Sequence, residues 1–203
     1  MRVEMTERYL EWINGLRDVV GRARIQMRVD RLVYGNPGQH RVLSGGVSEL
    51  KIDIGPGYRV YFTERSGVVI VLLAGGDKSS QSKEIGDRAS KEFAGASEMV
   101  TKRTAKTAKT KTVAYDVAQQ LRTPKEMAAY LDAWLTEAPD DVAGIARALG
   151  DIARARGMTQ VARDAGLSRE SLYKALSEGG NPSFATVLKV ARALGVRLQA
   201  QAA

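Results

Sequence analysis

The sequence predicts an α+β domain, two helices and an antiparallel sheet, followed by an all-α domain that contains a helix-turn-helix. Three observations carry that prediction. Over residues 50–73 apolar residues alternate with polar ones or run continuously, as strands require. Over residues 123–195 they recur every three or four positions, as helices require. Between them, residues 99–112 hold five lysines and arginines, no acid and no apolar period, which is the composition of a linker. The limits read from this pattern are 1–98, 99–112 and 113–203. Met99 stands where a separate second protein could begin.

The 203 residues carry a formal net charge of +8, and 44% are hydrophobic, enough for real cores. Five of the positive charges fall in the short segment 99–112, so the total says little about nucleic-acid binding by either domain. The absence of cysteine excludes a disulfide framework and a thiolate site. The single histidine, His40, excludes a multi-histidine metal site. No metal and no cofactor are expected. No apolar run is long enough to span a bilayer, and the first residues lack the h-region of a signal peptide. A cytoplasmic location with no membrane partner is therefore expected.

Taken in order, residues 2–5 read as a short strand. Thr6 can cap a helix whose apolar stripe is Tyr9, Leu10, Ile13 and Leu16. A second helix begins near Asp18. It places Ile25, Val29, Leu32 and Val33 inside and Arg22, Arg24, Arg28 and Arg31 mostly outside, and Gly35-Asn36-Pro37-Gly38 stops it. The period then changes to two. Leu50, Ile52 and Ile54 alternate with Glu49, Lys51 and Asp53; after Gly55-Pro56-Gly57, Tyr58, Val60 and Phe62 alternate with Arg59, Tyr61 and Thr63. This is a β-hairpin with a three-residue loop. The apolar run 68–73 suits a central strand, closed by Gly75-Gly76, and a polar helix is expected over 80–93.

In the second half, Thr123-Pro124-Lys125-Glu126 is a capping box with proline at the first helical position. The helix it opens carries Met127, Tyr130, Leu131, Trp134 and Leu135 on one side. Pro139-Asp140-Asp141 starts another, with Val142, Ile145, Leu149 and Ile152 apolar. Over 158–177, Thr159 can cap a short helix with Val161, Ala162 and Ala165 inside, and Gly166 can end it with a positive φ. Ser168 can then cap a helix over 169–177 that buries Leu172 and Leu176, four apart. Short helix, glycine turn and polar-faced second helix form the helix-turn-helix pattern, whose second helix enters the DNA major groove. An ordinary pair of packed helices fits the same spacing. The candidate DNA-contacting residues are Gln160, Ser168, Arg169, Glu170, Ser171 and Lys174. Asn181-Pro182-Ser183 starts a last helix with Val187, Leu188, Ala191 and Leu194 inside, ended by Gly195.

The hairpin offers the sharpest chemistry. If Ile54 pairs with Tyr58, then Asp53 faces Arg59, Lys51 faces Tyr61, and all four project from one sheet face. Lysine, arginine and tyrosine side by side suit a phosphodiester. The cations hold the phosphate and stabilise transition-state charge, while the tyrosine donates a hydrogen bond or moves a proton. No metal is needed where the nucleophile is the 2′-hydroxyl of RNA itself. A solvated face with an Asp53–Arg59 cross-strand pair fits the same spacing. In the stretch 75–81, the glycines allow close backbone approach, and Lys78, Ser80 and Gln81 can contact phosphate or base. The Walker spacing is absent there, and a strand-to-helix connection with a capping serine fits equally. His40, in a loop or edge strand, is a candidate acid or base. There is no Ser-His-Asp spacing, no HExxH and no Rossmann fingerprint.

Residues 32–86 resemble the toxins of the RelE/HigB superfamily, in the branch of phage-type addiction-module killer proteins. The resemblance rests on Gly35-Asn36-Pro37-Gly38, Gly46-Val47-Ser48-Glu49-Leu50-Lys51-Ile52, Gly55-Pro56-Gly57-Tyr58-Arg59-Val60-Tyr61-Phe62 and the stretch 72–81. With the two helices before it, it covers about residues 1–95. Residues 115–200 resemble the partner antitoxin, a HigA-like protein with an Xre-type helix-turn-helix. There it rests on Leu121-Arg122-Thr123-Pro124, Ala128-Ala129-Tyr130-Leu131, 166–176, Gly180-Asn181-Pro182-Ser183-Phe184 and Ala193-Leu194-Gly195. The resemblance implies a metal-independent endoribonuclease that cuts mRNA, in some relatives on the ribosome, and an antitoxin that blocks it and represses the shared operon. Arg59 falls at the family's phosphate-binding arginine, with Lys51, Tyr61 and Lys78 as neighbouring catalytic candidates and His40, Arg41, Ser80 and Gln81 as RNA-binding ones. Arg41 and Lys51 exchange the family's usual lysine and arginine, which alters bidentate geometry.

Toxin and antitoxin are normally separate chains. Here a 14-residue linker, spanning at most about 48 Å, joins them and sets a roughly millimolar effective concentration. Segment 113–137, with Tyr115, Leu121, Tyr130 and Trp134, is expected to pack on the toxin domain, in the same chain or in a swapped dimer. Two functions compete: a latent ribonuclease fused to its DNA-binding inhibitor, and a DNA-binding repressor whose toxin-like half is inactive and serves in assembly. Both imply operator binding by a homodimer, with half-sites about one helical turn apart.

Overall fold

The structure, a computed structural model, describes residues 2–43, 45–65, 69–78, 111–177 and 179–199. The helix expected over 80–93, residues Ser80 and Gln81, and most of the basic segment 99–112 lie outside them. The chain divides into two compact units, Met1–Tyr115 and Asp116–Ala203.

The first unit contains, in chain order, β1 (Arg2–Thr6), α1 (Glu7–Gly15), α2 (Val19–Val33), β2 (His40–Val42), β3 (Val47–Ile52), β4 (Tyr58–Arg65), β5 (Val69–Asp77) and β6 (Thr112–Ala114). The strands form one sheet in the order β2-β3-β4-β5-β1-β6. From β2 to β5 the pairing is antiparallel, as the alternation predicts. β1 departs from that expectation and pairs parallel with β5, from Arg2↔Val69 to Met5↔Leu72. The chain leaves β1 through two helices and re-enters the sheet elsewhere, so no hairpin forces β1 to run antiparallel to its neighbour.

Thr6 ends β1 and starts α1. Its side-chain oxygen accepts from the Tyr9 amide at 3.2 Å, and its hydroxyl donates to the Leu73 carbonyl at 2.7 Å. Asp18 caps α2, accepting from the Gly21 amide at 2.9 Å. The main core lies between the two helices and one face of the sheet, where Tyr9, Ile13, Ile25, Val29, Leu50, Val60, Ile70 and Leu72 are almost wholly buried. Two sequence expectations change here. Arg22 and Arg28 are buried, not outside. Their guanidiniums reach backbone carbonyls of the flanking loops, Leu16 at 3.4 Å and Gln39 at 3.0 Å, which satisfies donors that a buried arginine must place. Gly75-Gly76 does not close β5, which runs on to Asp77. The ring of Trp12 lies where a Cβ on Gly75 would collide with it, so this glycine admits an indole inside a strand.

The second unit is helical: a 3-10 turn (Val117–Gln120), then α3 (Pro124–Glu137), α4 (Val142–Arg156), α5 (Met158–Asp164), α6 (Arg169–Leu176) and α7 (Phe184–Ala193). The capping box that opens α3 is present, with Thr123 and Glu126 each bonding the other's backbone amide. Asp141 caps α4 through the Gly144 amide at 2.7 Å. Thr159 does not cap α5. That helix starts two residues earlier, at Met158 after Gly157, with no side-chain cap. Val190 and Ala191 in α7 and Leu194 just after it are buried, but Leu188 is 42% exposed, and Phe184 at the start of the helix is exposed too. Among the described residues no helix is long and apolar enough to cross a membrane.

Candidate functional site

The β3–β4 hairpin sets the first candidate site. Its register differs from the expected one by two residues: Ile52 pairs with Tyr58, Lys51 with Arg59 and Glu49 with Tyr61. The connection is wider than the expected three residues. Gly57 donates its amide to the Ile54 carbonyl at 2.9 Å, closing a turn that leaves Asp53 and Ile54 outside the ladder. A shift of two preserves the faces, so Lys51, Arg59 and Tyr61 still share one side, now with Glu49 in place of Asp53 inside the ladder.

That side is less open than a solvated face. Tyr61 is fully buried in a second small cluster with Val47, Val71, Leu73 and Ala74, beside a bulge that disturbs the β4–β5 register at Tyr61. Arg59 and Glu49 are also buried, at 8% and 6% exposure. The charges form a chain across the face. Arg41 on edge strand β2 approaches the Glu49 carboxylate at 3.4 Å, and Glu49 lies 3.7 Å from Arg59 Nε. Arg59 also reaches Asp53 at 3.6 Å and donates to the Tyr58 carbonyl at 2.8 Å, while Lys51 lies 3.7 Å from Asp53. Lys78 joins the group through its backbone, whose amide donates to the Gly57 carbonyl at 2.8 Å. His40 is exposed on β2, and its Nδ1 lies 3.0 Å from the Gly38 carbonyl. The structure thus brings together Arg41, Lys51, Arg59 and Lys78 around one hairpin. Glu49, the anion at the centre of the chain, is a residue that the alternation pattern placed on the right face without marking it as special.

Behind the hairpin, Asp18 accepts from the Tyr58 hydroxyl at 2.8 Å. The Gly21 amide bond, with the Tyr58 and Val20 bonds and against the effect of burial, holds the Asp18 carboxyl below its usual range. Burial first, and the hydrogen bond to Asp18 second, push the Tyr58 hydroxyl up to about 12. This pair locks the start of β4, and so the backbone that carries Arg59, against the start of α2.

The second candidate site is on α5 and α6. Gly166, at φ 64°, makes the turn between them. Ser168 caps α6, accepting from the Ser171 amide at 3.0 Å, and its hydroxyl donates to Ser171 Oγ at 2.8 Å. Leu172 and Leu176 are buried beneath. Ser168, Arg169, Glu170, Ser171 and Lys174 are exposed on the outside, as is Gln160 on α5, whose amide donates to Asp164 at 2.7 Å. The Arg169 guanidinium lies over the Tyr173 ring at 5.4 Å. Arg154, Gln160, Arg163, Arg169 and Tyr173 line an open groove of about 560 Å³ beside this face. Arg154 in that lining is paired with Asp116 and Asp151.

A profile of the family described as "Probable addiction module antidote protein" matches residues 111–202. A Haemophilus influenzae protein described as "Uncharacterized protein" is 56% identical over 87 residues, which is 43% of this chain and 88% of the relative. The segment 111–202 belongs to the probable addiction module antidote family. A second Haemophilus influenzae protein with the same description is 40% identical over 85 residues, 42% of this chain and 86% of that relative. No solved structure matches the chain. Membership sets the chain in a toxin–antidote context, with a toxin as the partner an antidote implies.

The four residues expected to face a toxin divide within this antidote-family segment. Tyr115 is half-buried against the core of the first unit. Leu121, Tyr130 and Trp134 are buried. Tyr130 donates to Asp151 at 3.4 Å. Trp134 packs on Gly144, with the Arg147 guanidinium 5.9 Å over its ring. Tyr130 and Trp134 thus each make contacts with α4. Arg154 ties the start of the unit to α4, bonding Asp116 at 2.9 Å and Asp151 at 2.7 Å.

Proposed function

We propose that the chain is a toxin–antidote pair in one polypeptide: a RelE/HigB-type mRNA endoribonuclease held inactive by a fused antidote that binds operator DNA and represses its own transcription. The observation that carries the nuclease half is the gathering of Arg41, Lys51, Arg59 and Lys78 around one hairpin. In this reading Arg59 and Lys51 hold the scissile phosphate while the RNA 2′-hydroxyl attacks the adjacent phosphorus. The 5′-oxygen leaves, and a cyclic phosphate remains. The cations stabilise the added charge on the phosphoryl oxygens, and no metal takes part. Asp53, whose side chain is 56% exposed on the connection, is the Arg59 partner that can give way to phosphate. In the antidote half, Arg169, Ser171 and Lys174 on α6 enter the major groove, and a homodimer spans two half-sites.

A second reading has a specific observation behind it. Arg59 is almost wholly buried, with Glu49, Asp53 and the Tyr58 carbonyl around its nitrogens. That suits a first unit that is inactive and serves in assembly, leaving the protein a DNA-binding repressor. Expression of residues 1–98 alone separates the two. Growth arrest with mRNA cleavage, both abolished by Arg59→Ala, is expected. A folded fragment without toxicity leaves the repressor reading.

A further inference from the structure

We propose that residues 111–115 are a docking strand, by which the antidote segment grips the β1 edge of the sheet unit. The proposal rests on the toxin–antidote reading of the two units. It starts from a mismatch of boundaries: the antidote-family match begins at residue 111, whereas the first compact unit runs to Tyr115. Five residues of antidote sequence are therefore built into the other unit's fold.

Their contacts are those of strand addition. Thr112, Val113 and Ala114 pair antiparallel with Thr6, Met5 and Glu4. The Tyr115 amide extends the ladder, donating to the Val3 carbonyl at 3.0 Å, and the Tyr115 ring packs against the main core. Two side-chain contacts accompany the pairing. The Thr112 hydroxyl donates to the Glu4 carboxylate at 2.7 Å, and the Lys111 ammonium lies 3.7 Å from Glu7. Main-chain bonds supply affinity in such a junction and side chains supply specificity. Without β6, β1 would present an open row of amides and carbonyls beside Val3 and Met5. The occupant this edge fits is an extended segment with a small hydroxyl residue three positions before an aromatic one, which is the segment of this chain that occupies it. With three registered pairs, the strand is short enough to leave by local opening while the rest of the sheet stays folded.

The test uses the full chain with a specific protease site placed between residues 99 and 110, cut while folded. The two fragments should co-elute in size-exclusion chromatography. Val113→Pro with Tyr115→Pro, which removes amides two apart and so on the same edge, should separate them. Amide exchange in β1 should then rise by about tenfold or more, with β3, β4 and α4 unchanged. Wild-type fragments that separate, or proline-variant fragments that stay together, overturn the proposal. If the proline variant loses protection throughout the sheet, Thr112→Ala with Tyr115→Ala decides. Faster exchange confined to β1 with weaker association supports the docking strand, and unchanged association refutes it. RNA cleavage assayed on the same samples keeps the two ideas apart: released fragments that cut no RNA leave the docking strand standing and remove the nuclease reading.

Discussion

The two units treat charge in opposite ways. In the sheet unit, the candidate site is a chain of ion pairs whose central members, Glu49 and Arg59, are buried. In the helical unit, the candidate DNA face is exposed, and its hydrogen bonds are local, Ser168 with Ser171 and Gln160 with Asp164. The difference teaches that site and stability are coupled in the first unit and separable in the second. A buried charge is tolerated only while its partners stay, so removing one member of the sheet cluster disturbs the fold as well as the chemistry. An exposed polar residue on a helix whose opposite face is well packed answers to its ligand alone.

The strongest way to break this comparison is Glu49→Ala. It strips Arg41 and Arg59 of their shared carboxylate and leaves a buried guanidinium with, among the described residues, the more exposed Asp53 as its ionic partner. A loss of about 3 kcal/mol is expected, read by denaturant unfolding with hydrogen exchange localising it to the sheet. A loss within about 0.5 kcal/mol, the range of ordinary surface changes, would show that the cluster is not a mutually dependent unit.

A smaller effect sharpens the comparison through pH. The Gly21 amide, and more weakly the Tyr58 hydroxyl, hold the Asp18 carboxyl below its usual range despite burial. A carboxylate depressed in the folded state adds stability above its unfolded pKa, near 4, and loses it as pH falls through the lower folded value. Asp18→Asn keeps the capping geometry but removes the charge. It should cost less than about 1 kcal/mol near neutral pH, and the gap to wild type should close as the solution is acidified below about pH 4. A gap that stayed constant with pH would assign the effect to shape instead of charge.

Legibility in the sequence divides along the same line as charge. The local signals were enough at most places where a few neighbouring residues decide the outcome, though not at Thr159: the Thr6, Asp18, Asp141, Ser168 and Ser183 caps, the Thr123–Glu126 box and the Gly166 turn all depend on contacts within a few positions. Features set by distant chain segments were not legible. The hairpin register slipped by two because the closing bond at Gly57 lies inside a wider connection. Alternation is blind to such a shift, since period two returns the same face. Arg22 and Arg28 looked like an exposed stripe, but loops that only tertiary structure brings near cover them. Gly75-Gly76 looked like a strand end because nothing in the sequence announces that Trp12 will lie on it. The parallel β1 and the capture of residues 112–114 are likewise pairings across long sequence separations.

The smallest stability effect completes the comparison from the other side. Arg169 and Lys174 are exposed on α6, while Leu172 and Leu176 beneath them hold the helix. Arg169→Ala with Lys174→Ala should therefore leave stability within about 0.5 kcal/mol, apart from the lost contact of Arg169 with Tyr173. Binding is where the substitution should register. If both side chains contact phosphates, affinity for operator DNA falls and the slope of log affinity against log salt shrinks by about two. If Arg169 reads a base edge instead, the slope shrinks by about one and discrimination against a mutated operator drops by about 1–3 kcal/mol. A fluorescence titration across salt concentrations on wild-type and single-mismatch operators distinguishes these outcomes. Unchanged affinity and slope would remove the recognition-helix assignment. A stability loss comparable with that of Glu49→Ala would show that the helical unit also ties its exposed charges to its fold, and the contrast between the units would fail.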